Sequence, residues 1–104
     1  MVEKSQLLEK NRFAAPVDRA AVAADWRERG FSCDLFTDPP GREWIGFTHD
    51  VNELVTVMSG ELEMELGGTW FVVEEGDEVF IPRGARHSVR NINGGTTRWL
   101  YGYD

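Results

Sequence analysis

Residues 76–91 read GDEVFIPRGARHSVRN, and the fold turns on this stretch. EVFI (78–81) is a short, mostly apolar run of strand length. Pro82 and Gly84 then interrupt it. Proline has no N–H to give a sheet, and glycine accepts the backbone angles that a tight turn demands. The chain therefore reverses there, and RHSVRNI (86–92) leaves as a second strand whose entry angle those two residues set.

The same pattern continues on both sides. Upstream, ELEMEL (61–66) and TWFVVEE (69–75) are joined by Gly67-Gly68, a two-residue hairpin signal. Acid and apolar residues alternate in ELEMEL, which puts Leu62, Met64 and Leu66 on a core face and Glu61, Glu63 and Glu65 in water. FSCDLFT (31–37), REWIGFTH (42–49) and ELVTVM (53–58) come earlier, divided by DPPG (38–41) and Ser59-Gly60, and TTRWLYGY (96–103) comes last. About eight short strands at this spacing, behind a single early helix, mean an all-β sandwich or barrel. Parity along REWIGFTH places Ile45, Phe47 and His49 on one side, and Leu54 and Met58 of the next run read as outward-facing apolar residues.

Residues 1–30 differ. VDRAAVAADWRERG (17–30) reads as a helix, with Pro16 ahead, Asp18 as N-cap, Arg27 and Arg29 in the last turn and Gly30 just past the end. Val22 and Trp26 share a face, which must cover one open end of a barrel or meet a partner chain. Residues 1 to about 12 read as a weakly ordered arm. The division is an arm and helix over 1–30 and a β-barrel over 31–104.

Composition narrows the function. The net charge is −7, the wrong sign for neutralising phosphates, so neither a nucleic acid nor an anionic membrane surface is an expected partner. MVEKSQLLEKNRF contains no apolar run of signal-peptide length and no later segment approaches a membrane span, so the expected location is cytoplasmic. Cys33 is the only cysteine, which rules out an internal disulfide, and within FSCDLF it reads as a small buried residue.

Only two histidines occur, His49 and His87. A lone strand histidine is usually hydrogen-bonded or at the surface rather than a ligand, so the joint pattern decides. The stretch Gly76–Asn91 resembles the second motif of the cupin family at each fixed position: glycine, five residues, proline, one, glycine, two, histidine, three, asparagine. At about 1 in 20 per fixed residue, such a match arises by chance roughly 3 times in 10 million, which makes coincidence a poor explanation. HDVNELVTVMSG (49–60), with His49, Glu53 and Gly60, resembles the later part of the first cupin motif. The resemblance spans residues 31–104. It implies a cupin-type double-stranded β-helix (a jelly-roll barrel) with a short N-terminal helix, and one divalent metal ion held by His49, Glu53 and His87. Family members often use three histidines and a glutamate; the position of the additional histidine is Phe47 here.

The three residues also bear a geometric test. Residues 49 and 53 on a straight strand would stand about 13 Å apart, at roughly 3.3 Å per residue. A shared ion needs ligand bonds near 2.0–2.2 Å, so the chain must bend between them, and Asp50-Val51-Asn52 favours such a bend. Two imidazoles and a carboxylate suit Fe(II), Zn, Mn or Ni, with open positions for water or substrate. Phe47 in place of a ligand makes the adjoining pocket more apolar, and Trp99, Tyr101 and Tyr103, at period two, either line that pocket or pack in the core. Arg90 and Arg98 are candidates to clamp an anionic substrate.

The resemblance implies a small mononuclear metalloenzyme, dioxygenase- or isomerase-like, acting on a small molecule. A non-catalytic module that senses or carries a small molecule or the metal suits the chain too, as does a degenerate barrel kept for dimerisation. Family resemblance together with Leu54 and Met58 makes a homodimer the expected assembly.

Overall fold

The computed structural model describes residues 7–104. Its elements in chain order are β1 (Leu8–Glu9), α1 (Arg19–Glu28), β2 (Asp34–Asp38), β3 (Glu43–Phe47), β4 (Glu53–Ser59), β5 (Leu62–Leu66), β6 (Thr69–Val73), β7 (Glu78–Ile81), β8 (His87–Asn91) and β9 (Thr97–Tyr103). A five-stranded sheet, ordered β1-β7-β4-β9-β2, faces a four-stranded sheet, ordered β3-β8-β5-β6, and all their named strand pairs are antiparallel.

The quoted stretch folds as it reads: β7, a turn at Pro82–Gly84 and β8, with the Ala85 N–H donating to the Pro82 carbonyl at 3.0 Å. The hairpin at Gly67-Gly68 pairs Leu66 with Thr69, and both glycines hold positive φ. Leu62, Met64 and Leu66 are buried, as their alternation requires. They join Val55, Val57, Val79, Ile81 and Val89 in the core between the sheets.

Helix α1 is capped at both ends as its sequence predicts. The Ala20 N–H donates to Asp18 Oδ1 at 3.0 Å, and Gly30, at φ 87°, gives its N–H to the Arg27 carbonyl. The helix lies on the outer face of the five-stranded sheet rather than over an open end. Val22 and Trp26 meet Leu54 and Leu100 there, with Met58 packed alongside. This corrects the reading of Leu54 and Met58 as exposed. Leu54 does point away from the inter-sheet core, but α1 covers it completely, which removes that reason for a homodimer. Cys33 is half-buried at the margin of this second cluster, and burial pushes its thiol pKa up.

The arm is also tighter than expected. Residues 1–6 lie outside the described part, but Leu8 and Glu9 pair with Val79 and Glu78, and the Phe13 N–H donates to the Gly76 carbonyl at 3.0 Å. That approach explains Gly76 itself, since a Cβ there would run into the Phe13 carbonyl oxygen. Buried charge ties the helix down. The Trp26 indole N–H and the Arg29 guanidinium all donate to Glu78, at 2.7–2.8 Å.

Strand β3 departs from simple parity. Its pairing with β8 slips between Trp44 and Phe47, where Gly46 takes φ 71° and gives its N–H to Ser88 Oγ at 2.9 Å. This bulge turns Ile45 outward, 56% exposed, while Trp44 and Phe47 both face the interior cavity. The expectation that Ile45, Phe47 and His49 share a side fails at this glycine.

Candidate metal centre

His49, Glu53 and His87 come from three different places. Glu53 opens β4, paired with Ile81 and Tyr103; His87 opens β8, paired with Phe47 and Leu66; His49 lies in the β3–β4 loop. The loop makes the bend that sequence geometry demanded, and it is pinned. Asn52 binds Asp104 through its backbone N–H at 3.0 Å and its amide at 2.8 Å, and its side-chain oxygen accepts from Arg83 N at 2.7 Å. The Gly84 N–H donates to the His49 carbonyl at 2.9 Å. The turn that aims His87 therefore also holds the loop carrying His49.

The three side chains converge. Glu53 Oε1 lies 3.2 Å from His49 Nε2 and 3.7 Å from His87 Nε2, and one donor atom from each residue falls within 4.8 Å of the others. His87 Nδ1 sits 3.1 Å from the Ala85 carbonyl, which accepts only if Nδ1 carries the proton. The Nε2 lone pair is thereby left facing Glu53, the arrangement that an imidazole ligand needs. Burial draws the His87 pKa below its ordinary value and pushes the Glu53 carboxyl up to about 7.

Glu53 provides the test of whether a cation fits. Its residue is 4% exposed, and Oε1 is buried without a hydrogen-bond donor. A carboxylate oxygen in that state is costly unless a positive charge meets it. Two imidazole nitrogens beside it complete a donor set that a divalent ion of the N/O type accepts.

The adjoining cavity has a volume of about 240 Å³. Phe47, Trp99, Tyr101 and Tyr103 all line it, so the three β9 aromatics are pocket wall rather than core alone. Sequence reasoning missed Phe36 and Trp44. The signal for Trp44 was Gly46, whose bulge resets the parity of β3. From His87 the aromatic contacts run to Phe47, then Trp44, then Phe36, with ring centroids 6.4, 5.7 and 5.8 Å apart in turn. From His49 they run to Tyr103, Tyr101 and Trp99, at 5.2, 5.9 and 5.8 Å. Phe36–Trp99 at 5.4 Å and His49–His87 at 5.0 Å close the circuit into a collar of eight rings. Behind it the fully buried Asp38 accepts from Trp99 Nε1 at 3.3 Å.

Arg90 and Arg98 do not reach this cavity. Arg90 binds Glu63 at 2.7 Å and stacks on Trp70, 4.0 Å from its centroid, while Arg98 is exposed. Among the described residues no lysine or arginine lines the wall.

Similar structures support the same architecture. A conserved protein of unknown function from Streptococcus pyogenes aligns at TM-score 0.64 and 20% identity, over 70% of this chain and 62% of its own. The cupin domain of an XRE family transcriptional regulator from Enterobacter cloacae aligns at 0.64 and 25%, over 70% and 79%. A mutant of salicylate 1,2-dioxygenase from Pseudoaminobacter salicylatoxidans aligns at 0.65 and 16%, over 71% and 21%. The chain thus spans under two thirds of the streptococcal protein and about a fifth of the dioxygenase. No curated protein matches it in sequence. The profile of the cupin domain family matches residues 34–103, which contain both motifs and all three convergent side chains, and the chain belongs to that family.

Proposed function

We propose that His49, Glu53 and His87 hold one divalent metal ion, and that the protein is a small mononuclear metalloenzyme, dioxygenase- or isomerase-like, acting on a small molecule. The observation that carries this reading is the buried, donor-less Glu53 Oε1 within 3.7 Å of two imidazole nitrogens. A bound ion of this kind supplies Lewis-acid activation at its open positions. The chain's own part is preorganisation. The Ala85 carbonyl fixes the His87 tautomer, Asn52 and Gly84 fix the His49 loop, and Glu53 offsets part of the cation's charge. The mostly apolar wall places few polar groups beside the reacting atoms. Fe(II), Zn, Mn and Ni all suit two imidazoles and a carboxylate.

The test is elemental analysis of protein purified without chelator or nickel affinity resin, followed by O₂ uptake and turnover on a metabolite panel. The expected result is about one metal per chain, lost together with turnover in His87→Ala. A metal-free His87→Ala protein that keeps full activity refutes the mechanism.

A second reading has its own support. Apart from the three ligands, the titratable groups lining the cavity are Tyr101 and Tyr103, so no separate carboxylate or histidine stands ready as general base. A non-catalytic small-molecule or metal-sensing module fits that wall. Saturable ligand binding without product selects it.

A further inference from the structure

The wall of the cavity specifies its ligand more narrowly than the metal centre does. The register of the strands sorts the lining into levels. Tyr103 stands across from Glu53, Tyr101 across from Val55 and Trp99 across from Val57, so β9 runs from the metal end down the wall, about 13 Å at roughly 3.3 Å per residue. Val89 pairs with both Trp44 and Met64, which puts those three side by side at the middle level.

Polar partners are few away from the metal end. Beyond the three ligands the lining offers two tyrosine hydroxyls and the Trp44 indole N–H, a buried donor without a hydrogen-bond partner, while the Trp99 indole N–H is committed to Asp38. A ligand that buries more than one polar atom beside Trp44 leaves the rest unsatisfied. An anionic group there meets no guanidinium or ammonium, and the buried Asp38 carboxyl lies just behind Trp99. Arg42, which does not line the cavity, lies over the Trp44 ring at 4.1 Å.

The collar itself favours a flat guest. None of its eight contacts is stacked: five meet edge to face at 60–72° and three are tilted at 43–54°. An aromatic guest continues that pattern, because ring edges carry the positive and ring faces the negative part of the quadrupole. A volume of about 240 Å³ exceeds the roughly 150 Å³ cavity that holds benzene, leaving room for one ring with small substituents.

We infer that the cavity takes a single-ring phenol or catechol that presents its oxygens to His49, Glu53 and His87 and carries no carboxylate. This rests on the metal reading above. Negatively charged oxygens belong at the metal end, and the collar holds the ring.

The experiment titrates metal-loaded protein, its metal content measured before and after, with catechol, cyclohexane-1,2-diol, 3,4-dihydroxybenzoate and choline. Catechol is expected to bind at least tenfold tighter than each of the others. The diol keeps the oxygens without the ring, the benzoate adds the excluded charge, and choline tests the collar as a cation cage. Any comparator within tenfold of catechol overturns the inference while leaving the metal reading intact. Protein that retains no metal under any loading condition refutes both. Trp44→Leu, which touches no ligand atom, should weaken catechol at least fivefold with metal content unchanged; equal affinity in that variant also overturns the inference.

Discussion

Replacing Glu53 by glutamine should stabilise the metal-free protein and lose most of that advantage once metal is loaded. The carboxyl is 4% exposed, and burial pushes its pKa from an ordinary 4.5 up to about 7. Because the folded pKa is raised, the folded state holds its proton more tightly than the unfolded chain. Glu53 therefore costs nothing below about pH 4.5, its penalty grows as pH rises toward 7, and above 7 the penalty is constant. At about 1.4 kcal/mol per tenfold, that plateau is about 3 kcal/mol. Glutamine keeps the shape without the charge. In chelator at pH 8, Glu53→Gln should thus gain up to about 3 kcal/mol, on the order of 10–20 °C in Tm for a domain of this size, and almost nothing at pH 4.5. Metal at 100 times its Kd adds about 2.7 kcal/mol to the wild type and much less to the variant, which shrinks or reverses the difference. Urea denaturation at both pH values, with chelator and with zinc, measures all four corners. A variant less stable than wild type in chelator at pH 8 would falsify the picture of Glu53 as an unpaired buried charge.

Three further outcomes follow from the fold. Leu54→Ala should cost about 2–5 kcal/mol in urea denaturation, the range for emptying a packed core site, because α1 seals it against Trp26; a cost below about 0.5 kcal/mol means α1 does not sit there. Gly46→Val should lose about 1–3 kcal/mol, since φ 71° is strained for a branched residue and its Cβ would meet the Arg86 guanidinium at 2.7 Å. Unchanged stability in that variant refutes the bulge. Phe47→His places an imidazole across from His87, where the phenyl centroid now stands 6.4 Å from the His87 ring, and should tighten metal binding at least tenfold in a chelator competition. Unaltered affinity means residue 47 cannot swing to the ligand set.

Most of the strand architecture was legible because period-two alternation and turn residues are local. ELEMEL and Gly67-Gly68 state both a face and a reversal within a few residues. The helix was legible for the same reason: Asp18 and Gly30 act on their immediate neighbours. What escaped the reading depends on long-range packing. Leu54 looked exposed because nothing in ELVTVM reveals that a helix some thirty residues earlier returns to cover it. Trp44 was missed because one glycine at positive φ reverses parity, and alternation alone cannot say where a sheet bulges. The motif spacing picked out the three convergent side chains, yet the collar is assembled from β2, β3, the β3–β4 loop, β8 and β9 and has no counterpart in any single run of sequence.

Two glutamates make the functional argument sharper than the motif does. Glu53 and Glu78 are each 4% exposed. Glu78 meets two N–H donors of Arg29 and the indole of Trp26 within 2.8 Å, so its charge is compensated and its task is to fasten α1 to the sheet. Glu53, with the same burial, faces two imidazoles that share no proton with it by geometry and leaves Oε1 without a donor. A chain selected only for stability gains by replacing such a group with an amide or an apolar side chain. On the proposed reading, a cation held together with His49 and His87 is what this acceptor would meet; Asp38 Oδ1, fully buried behind Trp99, also lacks a partner, so it is the two imidazoles beside Glu53 that single out its end of the barrel.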